Sequence, residues 1–349
     1  MQGSALYCSL IPRSLPADEG CVGCRRIQAT TSRQHDVNLQ AIIGAAERYS
    51  RISEGCISNS GKAELHAHTT YSDGVLSPSD LVAEAERADL TALAITDHDI
   101  VSGVAPARAS ALDLDLEIVA GVEFSTNLEN HEIHMLGLFV DDANDELIKC
   151  TDQARRFRRE RAVEIVERLN SLGIDVEFTA VESAAGYGSI GRPHIAKAIV
   201  EADEKTDNVN EAFRRFIGIG RPAFVPKLTV GAEEVISVVN RAGGVAILAH
   251  PGSYRWSWRR CQEGIRTLAD LGLDGFELVH PSYTSNARKK FKRLIDDMGL
   301  LPSGGSDFHG PPVGTTRLGE YAVSLQWLEA LREAATSHRA NTHSTEENV

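Results

Sequence analysis

The sequence predicts an α/β fold, a distorted seven-stranded (β/α)7 barrel with a helical subdomain inserted into it. Three observations carry this reading. From Lys62 onward, short apolar runs alternate with helical patterns, as in a largely parallel sheet with helices packed on it. Seven runs read as strands, at 63–67, 92–96, 116–121, 133–140, 245–249, 275–279 and 300–304. Between about Asp145 and Lys227 the strand rhythm stops and helical periodicity takes over.

Taken in order, the first strand leads into a helix with a clear start. Ser77 is its N-cap, Pro78 stands at N1, and Asp80 completes an S-x-x-D capping box. Leu81, Ala85 and Ala88 recur on one face, which should pack against the sheet. In the insertion, a long amphipathic helix runs through Leu172, is ended by Gly173, and is followed by shorter helical pieces. The last strand-helix unit reaches about Ala335. The predicted organisation is an extension at 1–61, a barrel from 62–144 and 228–335, an inserted substrate-binding subdomain at 145–227, and a flexible tail at 336–349.

Composition narrows the function. With 42% hydrophobic and 24% charged residues the chain is an ordinary globular sequence, and no apolar run approaches the length of a membrane span. A net charge of −13 argues against gripping long double-stranded nucleic acid through a broad basic field, so phosphate must be attracted locally. The cysteines at 8, 21, 24, 56, 150 and 261 are scattered, which fits reduced thiols in a cytoplasmic chain better than a disulfide framework. Cys21 and Cys24 form a lone CxxC, read as incidental. Organelle targeting by residues 1–61 is left open, with Asp18, Glu19 and Asp36 counting against it. No obligate protein partner is evident.

Histidines and carboxylates collect at the predicted strand ends. His66 and His68, two residues apart on an extended strand, project to one face and can grip one ion. Asp73 follows on a turn that Gly74 lets bend back toward the strand end. Later strands end in Thr96-Asp97-His98-Asp99, Gly121-Val122-Glu123, Ala249-His250-Pro251-Gly252 and Gly304-Gly305-Ser306-Asp307-Phe308-His309-Gly310, while His134 lies within a strand. The carboxyl ends of barrel strands converge on one face, so these residues can form one site. Imidazole with carboxylate favours zinc, manganese or iron over calcium or magnesium alone.

In order along the chain, H-A-H-T-T-Y-S-D-G, T-D-H-D, G-V-E-F, I-H-M-L-G, A-H-P-G and G-G-S-D-F-H-G resemble the motifs of the PHP (polymerase and histidinol phosphatase) superfamily. The resemblance spans roughly Lys62 to Pro312. Within it, S-I-G-R-P-H-I-A at 189–196 and the helical insertion resemble the TrpH/YciV-type phosphoesterases, which act on nucleoside 3',5'-bisphosphates and on the 5' end of short RNA at a trinuclear site. The resemblance implies a PHP barrel with two or three divalent ions, Mn2+ first and Zn2+, Fe2+ or Mg2+ after it. It implies one ion on His66, His68, Glu123 and Asp307, a second on Glu123, His134 and His250, and a third on Asp73, His98 and His309.

Divalent ions lower the pKa of bound water, so a bridging hydroxide would be the nucleophile and no protein nucleophile is needed. The group that protonates the leaving alcohol stays open among His194, His280 and a metal-bound water. Arg192 and His194 at a helix start, and Lys227 where the insertion rejoins the barrel, are substrate-binding candidates, with His280 beside them. His131 is read as a surface or core histidine. The run R-R-F-R-R-E-R at 155–161 is read as a solvated helix face rather than an RNA guide. The loop with Trp256, Trp258, Arg255, Arg259 and Arg260 is read as packing rather than a base platform. The expected function is hydrolysis of a terminal phosphate or 5'-end phosphodiester of a nucleotide or short RNA. The alternatives are another small phosphomonoester such as histidinol phosphate, or a non-catalytic metal-binding PHP module.

Overall fold

The structure, a computed structural model, describes residues 61–129, 131–311, 313–314 and 316–346. The expected extension at 1–61 lies outside the described residues but for Gly61, and so do its four cysteines. Among the described residues no helix is long and apolar enough to cross a membrane.

The chain runs β1 (Lys62–Glu64), α1 (Pro78–Arg87), β2 (Ala92–Ile95), α2 (Val104–Ser110), β3 (Glu117–Leu128), β4 (His131–Leu138) and α3 (Asp145–Ser171). Then come α4 (Phe178–Ala185), α5 (Arg192–Ala202), α6 (Val209–Ala212) with a π-helical turn at Phe213–Ile217, β5 (Val230–Gly231), α7 (Ala232–Arg241) and β6 (Val245–Leu248). The last part is α8 (Trp258–Asp270), β7 (Gly275–Val279), α9 (Ser285–Met298), β8 (Leu301–Gly304), β9 (Val323–Ser324) and α10 (Leu325–Glu346). The predicted cap of α1 is present: the Ser77 hydroxyl accepts the Asp80 N–H.

The strands pair in the order β8-β7-β6-β4-β3-β2-β1-β9, with β5 on β3. The two ends of this sheet approach each other where Ala67 bridges Phe308, and the His68 N–H donates to the Phe308 carbonyl at 2.9 Å. The result is a nearly closed, distorted β/α barrel. Its irregularity centres on β4, which is antiparallel to both β3 and β6. Only residues 129 and 130 separate β3 from β4, far fewer than a parallel crossover requires. β3 also runs on to Leu128, past the residue 121 where the sequence pattern ends it. Neither β5 nor β9 is expected from the sequence, since a two-residue strand has no readable period.

Alternate residues of each strand serve two cores. Leu93 and Ile95, or Ala246 and Leu248, pack under the surrounding helices. Ala92 and Ala94, or Val245 and Ile247, pack with Leu328, Leu331 and Ala335 of α10. The inserted helices have a core of their own, including Ile165, Leu169, Val181, Ile195, Ile199 and Ile217. Helix α3 joins the two regions: Leu147, Cys150 and Ala154 belong to the main core, and Ala162 onward to the insertion.

Across most of the expected tail at 336–349, α10 continues to Glu346. Beyond Ala335 the apolar period is lost, and polar ties hold the helix instead. His338 Nε2 lies 2.8 Å from Asp274 Oδ1, and Arg339 donates to the Phe139 carbonyl at 2.6 Å.

Candidate metal centre

Glu123, in the middle of β3, is 1% exposed and surrounded by imidazoles. Its Oε2 lies 3.3 Å from His66 Nε2, 3.1 Å from His68 Nε2 and 3.1 Å from His98 Nδ1. Its Oε1 lies 2.9 Å from His134 Nδ1 and 3.1 Å from His250 Nε2. His134 reaches this point because antiparallel β4 starts at the rim where β2 and β6 end. The Tyr254 hydroxyl fixes that start, accepting the His134 N–H at 2.8 Å and donating to the Ala249 carbonyl at 2.9 Å.

Asp307 Oδ1 closes the centre, 3.3 Å from His66 Nε2 and 3.1 Å from His68 Nε2. To one side Asp73 Oδ1 lies 3.2 Å from His309 Nε2 and 3.9 Å from His98 Nε2. Asp73 folds onto the strand end because Gly74 lies against the His68 carbonyl, where any Cβ would collide. Three rim residues, Asp99, His250 and Asp307, hold positive φ angles of 54°, 31° and 50°, a conformation that costs free energy and clusters at functional sites.

The predicted ligands thus come together, in overlapping groups: His66, His68, Glu123 and Asp307; His68, Asp73, His98 and His309; and His98, Glu123 and His134. The first matches a predicted ligand set outright. The second adds His68 to the predicted third set, and in the last His98 stands where His250 was expected. Buried polar atoms test whether cations fit. His66 Nε2, His68 Nε2, Asp73 Oδ1, His98 Nδ1 and Glu123 Oε2 are buried without a hydrogen-bond partner. Orphans of this kind are costly unless something satisfies them, and a divalent cation accepts all these donor atoms.

Electrostatics agree. Burial opposes ionisation of Glu123, but His98, His66 and His134 outweigh it and hold the carboxyl well below its usual range. Burial likewise opposes charge on His66, yet Glu123, Glu277 and Asp307 lift it well above the usual imidazole range. Such a cluster holds protons that metal binding would release.

Several carboxylates behind the ligands escaped the sequence reading. Glu277 Oε1 lies 2.9 Å from His66 Nδ1, and its Oε2 accepts the His250 N–H at 2.5 Å. Asp97 accepts from Thr69 N–H, Thr69 Oγ1 and Ser72 Oγ at 2.7, 2.7 and 2.8 Å, tying down the loop that carries Asp73. Glu64 accepts the Ser306 N–H at 2.7 Å and the Gly319 N–H at 3.2 Å, anchoring the loop of Asp307 and His309. Its burial pushes the carboxyl up to about 7. All three are fully buried acids beside apolar strand residues, and that position was the available signal.

The solvated-face reading of 155–161 fails at one position. Arg158 is buried, ion-paired to Asp99, and donates to Ser125 Oγ at 2.8 Å. Beside it, Arg161 and Arg192 line the same small cleft. Burial and then the Arg192 charge push Arg161 down to about 10. Lys227 lies 3.2 Å from Glu132, and burial followed by Arg158 lowers it to about 8. His280 Nε2 lies 3.6 Å from Asp307 Oδ2. His131 is exposed, with Nδ1 near the Glu129 carbonyl, and Trp256 and Trp258 pack against Tyr254 and Phe291.

His194 Nδ1 accepts the Gly191 N–H at 3.0 Å, at the start of α5. This acceptor must be unprotonated, and burial holds the ring down to about 4. A histidine depressed on folding contributes stability that is complete above its ordinary pKa of 6.5 and is lost as pH falls toward 4. Urea unfolding at pH 7 and pH 5 should therefore differ by about 2 kcal/mol from this group. In His194→Gln, whose amide oxygen can accept the same N–H, the difference should shrink by that amount; an unchanged difference would refute the assignment.

A PHP domain model matches residues 64–218. The chain is 35% identical over 250 residues to a 5'-3' exoribonuclease of Haemophilus influenzae, covering 72% of this chain and 90% of that protein. It is 32% identical over 257 residues to a 3',5'-nucleoside bisphosphate phosphatase of Chromobacterium violaceum, covering 73% and 90%. Among solved structures, a Bifidobacterium adolescentis protein assigned as a metal-dependent phosphoesterase gives a TM-score of 0.71 at 29% identity, covering 78% of this chain and 96% of that one. A chain this similar over most of its length belongs to the same family: it is a PHP-domain hydrolase that acts on phosphate esters through divalent metal ions.

Proposed function

We propose that this site hydrolyses a terminal phosphate or 5'-end phosphodiester of a nucleoside 3',5'-bisphosphate or short RNA, with two or three divalent ions, manganese first. One observation carries the phosphate-ester reading: a crowded set of cations beside the metal centre. Arg158, Arg161 and Arg192 share one cleft, and their mutual repulsion is relieved by a bound anion. The names of the exoribonuclease and bisphosphate phosphatase relatives point the same way.

His66, His68, Glu123 and Asp307 would hold one ion, Glu123, His134 and His250 a second, and Asp73, His98 and His309 a third. Divalent ions so held supply an activated water and neutralise charge developing on the phosphate. Arg192 and Lys227, with Arg158 and Arg161, orient a terminal phosphate. His280 Nε2, buried at the rim and without a hydrogen-bond partner, is placed to carry the proton for the leaving oxygen. His194 Nδ1 is engaged by Gly191, so any substrate contact it makes goes through Nε2.

The test is release of phosphate and mononucleotide from adenosine 3',5'-bisphosphate and from a 5'-phosphorylated RNA pentamer by manganese-reloaded protein, against an Asp307→Ala control. Turnover of either substrate, lost in the control, is expected. Silence on both at full metal occupancy would overturn the nucleotide reading and favour another phosphomonoester such as histidinol phosphate. Unchanged phosphate release after Asp307→Ala would remove Asp307 from the centre.

A further inference from the structure

A second cavity lies outside the metal centre, on the far side of the wall that flanks it. Its volume is about 550 Å3, and it sits between α3 and the segment 186–190 that joins α4 to α5. Arg155, Arg156 and Arg159 of α3 line it, with Asp152, Glu182 and Tyr187. Its size suits one nucleotide unit.

The lining is built to leave two groups free. Arg159 pairs with Glu182 at 2.7 Å and Arg155 with Asp152 at 3.3 Å. Arg156 is exposed, and among the described residues no carboxylate pairs with it. Three guanidiniums against two carboxylates leave the groove cationic on a chain whose net charge is −13. Tyr187 is 95% exposed, so its ring buries almost nothing. It is held out by glycines on both sides: Gly186 has φ +57°, and Gly188 is pressed against the Tyr71 carbonyl, where a Cβ would collide.

Only the segment 186–191 separates the groove from the metal centre. Past Tyr187, the Ser189 N–H donates to the Tyr71 carbonyl at 2.8 Å, and a Cβ on Gly191 would stand 3.8 Å from Asp73 Oδ2. The Ile190 carbonyl lies 3.5 Å from Arg158 Nη1. The segment that lines the groove on one face therefore borders Asp73 and Arg158 on the other, and helix α3 presents Arg158 inward and Arg155, Arg156 and Arg159 outward.

We infer that this groove is a downstream RNA subsite, which holds the 3' continuation of a single strand whose 5' end occupies the metal centre. A base stacks on Tyr187 and a backbone phosphate meets Arg156, the combination by which single-stranded nucleic acid is held without sequence preference. The inference rests on the nucleotide reading and adds chain-length preference to it: an oligomer reaches the groove and a nucleoside bisphosphate does not.

The test compares wild type, Tyr187→Ala, Tyr187→Trp and Arg156→Gln, all manganese-loaded full chains, on the 5'-phosphorylated pentamer and on adenosine 3',5'-bisphosphate. The ratio of kcat/KM for pentamer over bisphosphate should fall about tenfold in Tyr187→Ala, the loss expected for one base stack, and be restored in Tyr187→Trp. Binding of a 3'-fluorescein pentamer, followed by anisotropy, should weaken in parallel, and Arg156→Gln should lower the slope of log affinity against log salt by about 0.7. The bisphosphate rate reports folding and the metal centre in each variant. An unchanged ratio and unchanged pentamer affinity in Tyr187→Ala would overturn the inference while leaving bisphosphate hydrolysis in place. A wild type that turns over neither substrate fails the nucleotide reading, and the anisotropy titration then decides the groove separately: tenfold weaker pentamer binding in Tyr187→Ala upholds it, and equal or absent binding removes it.

Discussion

Glu123→Gln is expected to lower phosphate release by about a thousandfold or more and to lower metal stoichiometry with it. Five imidazoles stand 2.9 to 3.3 Å from this carboxylate, and it belongs to two of the candidate ligand groups. Its two oxygens face different imidazoles, Oε2 toward His66, His68 and His98 and Oε1 toward His134 and His250, as a carboxylate shared between two ions would. Glutamine keeps the shape, but it removes the negative charge and aims an N–H at nitrogens that should face a cation. Charge stabilisation by such ions contributes several kcal/mol to the transition state, and about 4 kcal/mol corresponds to a thousandfold in rate. The measurement pairs metal analysis of the purified variant with phosphate release at saturating manganese. Wild-type stoichiometry and rate would show that Glu123 does not bridge.

Much of this was legible in the sequence, because the chemistry falls where the strand pattern changes. His66, His68, His98, His250, Asp307 and His309 lie in or just past apolar runs that read as strands, and their convergence follows from barrel topology. His134 was legible only as a strand residue. Its approach to the rim depends on β4 running antiparallel, and the two-residue link that requires this was hidden because the sequence pattern ends β3 at 121. The supporting acids were not legible in the same way. Glu64 and Glu277 look like interruptions of apolar strands, and nothing local says that one receives the Ser306 and Gly319 amides and the other steadies His66. Arg158 is hidden for a different reason. In a run of arginines only the packing of α3 decides which side chain turns inward, and Asp99 lies 59 residues away. The continuation of α10 past Ala335 depends on Asp274 and the Phe139 carbonyl, partners that no periodicity marks.

Glu277→Gln should act on metal affinity rather than on the chemical step. Glu277 is fully buried, and it engages His66 Nδ1 and the His250 N–H with separate oxygens. An imidazole whose Nδ1–H donates a hydrogen bond to a carboxylate presents Nε2 to the ion in the right tautomer and with raised basicity. In His66 that Nε2 lies 3.3 Å from both Glu123 and Asp307. Glutamine can satisfy only one of the two N–H donors, and its amide group opposes the other. Loss of a supporting carboxylate of this kind costs about 10- to 100-fold in metal affinity or activity. Titrating manganese into stripped protein should move the activation midpoint up by that factor, with kcat at saturating metal recovered to near the wild-type value. A midpoint that stays in place would mean that His66 is oriented by the barrel alone. A kcat that never recovers would move Glu277 from holding the ligand to taking part in the reaction itself.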